Sequence, residues 1–225
     1  MPGTRLFERE DFLRAAGPAL RPGGTALTEA ALDHCRLPEG APVADVGCGR
    51  GASLALLCSR GFRAVGVDPS RVLLAEARAL APGARLVCGE AGSLPLRDGV
   101  FAAVFCECVL TLTADPDAAL DQMRGILAPG GFLVLSDLYL RDPVDHACAH
   151  APGCASGAEA RAVIESRISR AGFRPRVFVD HSRLLAELAG KLVFAGIPRQ
   201  SLGVCGASGG RPGYYLCIAQ KEAPE

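Results

Sequence analysis

The chain has 225 residues, 49% of them hydrophobic and 21% charged, with 24 basic side chains balanced by 24 acidic ones. That length suits one α/β domain with a buried core, and that composition argues against disorder. Zero formal charge gives no general affinity for nucleic acid or an anionic membrane. No apolar run reaches the ~18 residues that a bilayer span needs, and the opening residues lack a signal-peptide core, so a cytoplasmic protein is expected.

Ten cysteines are many for such a chain. Cys48, Cys58, Cys88 and Cys106 fall inside expected core elements, where a free thiol behaves as a small apolar side chain. Without an export signal they are not read as a disulfide framework. The basic residues are nearly all arginine, because only Lys191 and Lys221 are lysine.

Taken in order, Arg5 to Ala16 is a weakly amphipathic helix candidate that stops at Gly17-Pro18. The turn Leu20-Arg21-Pro22-Gly23-Gly24 follows, and Thr25 to Cys35 then repeats Leu27, Ala31 and Cys35 on one helical face. Pro42 to Val46 is a short apolar run containing Asp45, and Gly47, Gly49 and Gly51 come directly after it. Ser53 to Gly61 has helical apolar spacing and a terminal glycine. The whole reads as strand, glycine turn and helix.

Such a turn suits a nucleotide-like ligand, because missing Cβ atoms allow close approach and the helix end presents unpaired N–H groups. Gly47-x-Gly49-x-x-Ala52 fits the dinucleotide fingerprint, with Asp68 at about the spacing of a ribose-binding acid. An NAD-dependent dehydrogenase is therefore one reading. A turn with only a structural role is another. Asp45 and the third glycine extend the pattern to Asp-x-Gly-x-Gly-x-Gly, which resembles motif I of the class I S-adenosylmethionine-dependent methyltransferases.

The next segments extend that resemblance. Arg63 to Asp68 is a strand ending in an acid, followed by Pro69-Ser70 and a helix with Leu73, Ala77 and Leu80 on one face. Arg85 to Cys88 is a third strand, and Gly89-Glu90-Ala91 through Leu94-Pro95 resembles the family's Gly-Asp-Ala…Leu-Pro segment, with glutamate in place of aspartate. Val100 to Cys106 is an apolar strand suited to a sheet covered on both faces. Asp115 to Leu127 is a helix, Ala128-Pro129-Gly130-Gly131 a turn, and Phe132 to Asp137 a fifth strand.

Asp142 to Ala158 lacks apolar periodicity and is long for a connection, which suits a substrate lid. It holds His146, Cys148, His150 and Cys154, soft and imidazole groups close enough to consider a metal or metalloid, although no Cys-x-x-Cys pair supports a metal centre. Ala160 to Ala171 is a helix, Pro175 to Asp180 a sixth strand, and Asp180-His181-Ser182 caps a helix bearing Leu184, Leu188 and Leu192. Tyr214 to Gln220 closes the chain as a strand.

The resemblance covers about residues 20–221. It implies a Rossmann-like, doubly wound α/β sheet of seven strands, mostly parallel with an antiparallel last strand, in one domain. Residues 1–40 would supply helices over the cleft, 42–141 the cofactor core, 142–158 the lid and 159–221 the C-terminal part. It further implies S-adenosylmethionine as cofactor, a small-molecule acceptor, and cofactor contacts from Asp45, Gly47, Cys48, Gly49, Gly51, Asp68, Pro69, Glu90, Ala91 and Cys106.

Glu107 stands where the family's post-strand loop lines the transfer cleft, and it is the first candidate for electrostatic or base assistance. Arg21, Cys108, Asp137, Tyr139, His146, Cys148 and Cys154 are candidate substrate residues; His181 is a weaker catalytic one. Arg21-Pro22-Gly23-Gly24, Glu107 to Leu110, Ser136 to Arg141, Asp180-His181-Ser182 and Gly213-Tyr214-Tyr215 together resemble a little-characterised methyltransferase group from anaerobic sulfate-reducing bacteria. A more distant similarity to arsenite methyltransferases would require Cys108, Cys148, Cys154 and Cys205 to converge. A non-catalytic metal-sensing or interaction module on the same fold is the remaining alternative, and the sequence leaves oligomeric state open.

Overall fold

The computed structural model describes Arg14 and residues 16–142, 157–197 and 211–222. The helix expected over Arg5 to Ala16 falls almost entirely outside the described residues, as do His146, Cys148, His150, Cys154 and Cys205.

Alternation of strands and helices builds the chain as α1 (Ala26–Cys35), β1 (Pro42–Val46), α2 (Ala52–Ser59), β2 (Arg63–Asp68), α3 (Arg71–Leu80), β3 (Arg85–Cys88) and β4 (Phe101–Glu107). After a 3-10 turn at Leu110–Leu112 come α4 (Pro116–Ile126), β5 (Leu127–Leu140), α5 (Arg161–Arg170), β6 (Phe173–Asp180), α6 (Ser182–Phe194) and β7 (Pro212–Lys221). The seven strands lie in the order β3-β2-β1-β4-β5-β7-β6. The first five run parallel, and β7 inserts antiparallel to both β5 and β6. This is the Rossmann-like sheet expected from the sequence.

Central strands are apolar because helices cover both of their faces. On one face Leu120, Met123 and Ile126 of α4 and Ile164 and Ile168 of α5 pack on Val46, Cys106, Leu135 and Tyr215. On the other, Leu27, Ala31 and Cys35 of α1 with Leu54 and Leu57 of α2 pack on Val43, Phe105, Val134 and Tyr214. Side chains of β7 alternate between the two layers, so Tyr214 and Tyr215 face opposite sides. Truncating a fully buried Leu120 or Met123 would cost about 2–5 kcal/mol.

Helix starts follow their capping residues. Ser70 accepts from the Leu73 amide ahead of α3, and Asp115 accepts from the Ala118 amide ahead of α4, with Pro116 beginning the helix. His181 precedes α6 without a side-chain cap bond; the cap is Asp180, whose carboxylate accepts the Ser182 amide at 2.8 Å.

Two expectations change. The Ala128-Pro129-Gly130-Gly131 segment is not a turn between helix and strand, since β5 begins at Leu127, which pairs with Phe101 before the register moves on to Phe132 opposite Ala103. Gly130, at φ 72, absorbs the irregularity. The second change concerns cysteines: Cys88 is exposed and Cys58 only partly buried, because Cys88 ends an edge strand at the rim of the sheet. Cys48 and Cys106 are buried as expected.

Candidate functional site

Parallel strands β1, β2 and β4 all end at one edge of the sheet, and their terminal acids Asp45, Asp68 and Glu107 are brought together there. Asp68 and Glu107 line a cavity of about 840 Å³ there. Its wall includes Arg21, Gly47, Cys48, Gly49, Asp68, Pro69, Glu90, Ala91, Glu107 and Cys108.

The glycine turn is fastened to β2. Gly47 and Cys48 amides both donate to the Val67 carbonyl, at 2.7 and 3.1 Å. Asp68 continues the attachment, accepting the Gly49 amide on Oδ2 at 2.9 Å and the Ser70 amide on Oδ1 at 2.8 Å. A Cβ on Gly47, which has φ 75, would lie 2.1 Å from Val109 Cγ2, so only glycine fits. Gly51 serves helix packing instead, since its Cβ would meet Ala77 Cβ at 3.0 Å, and it does not line the cavity.

Glu107 sits in a buried polar cluster. Thr28 Oγ1 donates to both of its oxygens at 3.1 Å, Ser53 Oγ donates at 3.1 Å and Ser136 Oγ at 3.4 Å. Arg21 Nη2 lies 2.9 Å from its Oε2 and 2.6 Å from Thr28 Oγ1, with the two charged side chains 7% and 1% exposed. Burial lowers the proton affinity of Arg21, but Glu107 and the neighbouring anionic groups outweigh it and the guanidinium ends above its ordinary value. One buried cation is thus held by a carboxylate from a different strand end.

Asp45 is 2% exposed and its Oδ2 has no hydrogen-bond partner among the described residues; Arg21 Nε is the other buried polar atom so left. Burial first, then Glu107 and Asp68, push the Asp45 carboxyl up to about 8 against the opposing pull of Arg21. Arg21 lines the cavity, whereas Asp45, expected among the cofactor contacts, does not: β1 turns its side chain behind the wall.

Other candidates from the sequence are placed elsewhere. Cys106 is fully buried in the core beneath the sheet and does not line the cavity, because β4 alternates and Glu107 takes the open end. Asp137 is also off the cavity wall: it accepts the Thr111 amide, the Thr111 hydroxyl and its own neighbour's amide at Leu138, bracing the 3-10 turn. Burial raises its pKa despite those bonds. Tyr139 is tied by a short hydrogen bond to Asp180 and packs edge-on against Phe178 and Tyr215, again away from the cavity.

Sequence reasoning missed Thr28, Ser53, Ser136 and Tyr214 as parts of the site. Thr28 carried a signal, being a hydroxyl beside the apolar stripe of α1. Ser136 and Tyr214 stood in strings that carried the resemblance but were given no role, and nothing in the local pattern marked Ser53. Among the described residues no group of three or more His, Cys, Asp or Glu side chains could hold a metal ion, and no helix is long and apolar enough to cross a membrane.

Residues 44–135 match the family model described as a methyltransferase domain. Over 106 residues the chain is 34% identical to a trans-aconitate 2-methyltransferase of Variovorax paradoxus, an alignment covering 46% of this chain and 41% of the relative. A demethylmenaquinone methyltransferase of Beutenbergia cavernae is 34% identical over 108 residues, covering 48% and 45%. The chain therefore spans less than half the length of these relatives. Among solved structures, the [4+2]-cyclase SpnF superposes over 100% of this chain and 99% of its own, with a TM-score of 0.76 and 22% identity. Haemonchus contortus phosphoethanolamine N-methyltransferase 2, solved with S-adenosyl-L-methionine, superposes over 94% of this chain and 56% of its own, with a TM-score of 0.75 and 18% identity. The fold is the Rossmann-like α/β fold that these proteins share.

Proposed function

We propose that the chain is an S-adenosylmethionine-dependent methyltransferase acting on a small-molecule acceptor. The observation that carries this reading is the fastening of the glycine turn by Asp68, a carboxylate that also faces the cavity. Asp68 accepts the Gly49 and Ser70 amides and lines the cavity, where a carboxylate is the acceptor that ribose hydroxyls require. Gly47, Cys48 and Gly49 supply the wall against which the cofactor lies, and Pro69, Glu90 and Ala91 form the adenine side. Glu90 is exposed at that rim.

Arg21 takes the carboxylate of the methionyl end, and Glu107 keeps Arg21 in place. The bound cofactor supplies an activated methyl group, so the protein's contribution is orientation and exclusion of water. The methyltransferase-domain match over residues 44–135 supports this reading, as do the cofactor-bound structures of the same fold. The metalloid version has less support. Of the four cysteines it needs, only Cys108 is described, and Cys108 bonds to Tyr214.

Isothermal titration with S-adenosylmethionine, S-adenosylhomocysteine and NAD tests the reading. Binding of the first two and not the third is expected. Binding of NAD alone would make the chain a nicotinamide-dependent enzyme instead.

A further inference from the structure

The charged side chains of the cavity wall are unevenly matched. Among the described residues they are Arg21, Arg50, Asp68, Glu90, Glu107 and Asp115, two cations against four acids. Both cations are already compensated, Arg21 by buried Glu107 at 2.9 Å and Arg50 by the Glu76 carboxylate of α3. The cofactor of the reading above carries a sulfonium, an ammonium and a carboxylate, and so brings a single net positive charge. The wall stays acidic with the cofactor in place.

The wall also changes character along its length. In the strand order β3-β2-β1-β4, Glu90, Asp68, the glycine turn and Glu107 follow one another along the sheet edge, and that row is the one the cofactor takes in this reading. Around and beyond Glu107 the wall is apolar. Val109 lies against Gly47, Leu20 reaches over Gly49 with its Cδ1 3.8 Å from where a Cβ would stand, and Leu112 is 44% exposed on the 3-10 turn. Leu110 of the same turn is buried instead. Leu20 holds φ 54, a backbone conformation that L side chains rarely adopt, so strain is accepted where this apolar group is set. Two polar side chains of the same stretch are turned to the chain itself: Thr113 Oγ1 donates to the Leu110 carbonyl at 2.8 Å, and Asp115 accepts the Ala118 amide at 3.0 Å as the cap of α4.

We propose that the methyl acceptor is an uncharged molecule with an apolar ring or chain, held against Leu20, Val109 and Leu112, and that the cavity excludes carboxylate and phosphate acceptors. The proposal rests on the methyltransferase reading above. An anion would leave water for a wall with surplus negative charge and, among the described residues, no uncompensated cation, which is costly. A cationic ammonium has no electron pair with which to receive a methyl group. An apolar body gains by covering Leu112, in keeping with the mostly apolar linings of small-molecule pockets. On transfer an electron pair of the acceptor's oxygen or nitrogen forms the new bond to carbon, the pair of the broken carbon–sulfonium bond stays on sulfur, and the acceptor proton leaves to water at the rim.

A matched pair of probes tests this before the acceptor is known. A naphthol, uncharged near neutral pH, and the naphthoate substituted at the same ring position, an anion of similar shape, are titrated into protein first saturated with S-adenosylhomocysteine. Naphthol is expected to bind roughly ten-fold tighter or more. Leu112→Arg, which sets a cation on the apolar side of the cavity, narrows or reverses that preference, and Leu112→Ala weakens naphthol several-fold; melting curves confirm that both variants are folded. Equal or tighter binding of naphthoate, no binding of naphthol, or a preference that Leu112→Arg leaves unchanged overturns the proposal. Should Leu112→Arg fail to fold, Leu112→Ala decides alone, and an unaltered naphthol affinity there sinks the idea. The initial titration keeps the two claims apart: failure of S-adenosylhomocysteine to bind removes the methyltransferase reading and the acceptor class with it, whereas its binding without the naphthol preference removes only the acceptor class.

Discussion

Arg21 and Glu107 are 86 residues apart in sequence and lie 2.9 Å apart in space, each almost wholly buried. The pair ties the segment before α1 to the end of β4, with Thr28 and Ser53 sharing the carboxylate. It closes one side of the cavity. Three acids meet one guanidinium at this edge of the sheet, and the energetics of the site follow from that imbalance.

Removing one partner leaves the other charge buried and uncompensated. Glu107→Ala is expected to destabilise the protein by about 3–5 kcal/mol, while a joint Arg21→Met and Glu107→Leu change recovers most of that loss. Urea denaturation of the single and double variants measures both. A single variant as stable as the parent would mean that the pair does not hold this edge together.

Asp45 gives stability a pH dependence. Its carboxyl is raised in the folded protein from 3.8 to about 8, so the folded state binds the proton that the unfolded state has already lost. Stability therefore falls as pH rises across that window, by up to about 1.4 kcal/mol per pH unit for this group. Asp45→Asn should remove the slope, leaving the variant relatively more stable at the upper end. Unfolding free energies of both proteins measured at several pH values across the window check the sign.

Tyr139 separates bracing from substrate contact. Its hydroxyl is engaged by Asp180 and its ring by Phe178 and Tyr215. Tyr139→Phe is expected to cost about 1 kcal/mol in stability with cofactor affinity unchanged. Thermal melts and titration with S-adenosylhomocysteine measure the two effects, and a large affinity loss would return Tyr139 to the site.

Much of this was legible in the sequence, for identifiable reasons. The strand, turn and helix around Gly47 announce themselves because glycine is required where Val109 closes in, and Asp68 follows at the spacing that one β-α-β unit imposes. Apolar runs gave the strands because both faces of the sheet are covered. Side-chain destinations were less legible. Asp137 and Tyr139 sit in a motif string beside the cleft, yet their side chains turn to Thr111 and Asp180, partners fixed only by tertiary packing. Thr28, Ser53 and Ser136 meet around Glu107 from three separate elements, with Tyr214 bonded to Ser136 from a fourth, which no local pattern encodes. The Pro129-Gly130-Gly131 segment reads as a turn and is built as an irregularity within β5, because Leu127 pairs with Phe101 ahead of it.

The attachment of Gly49 to Asp68 is the relationship on which the cofactor reading turns, and one titration tests it. S-adenosylhomocysteine is titrated into the wild type, Asp68→Asn and Asp68→Ala, with melting curves to confirm folding. The alanine variant should lose affinity by roughly ten-fold or more, the energy of a hydrogen bond to a charged group, with asparagine in between. An alanine variant that is folded and binds as tightly as the wild type would contradict the account.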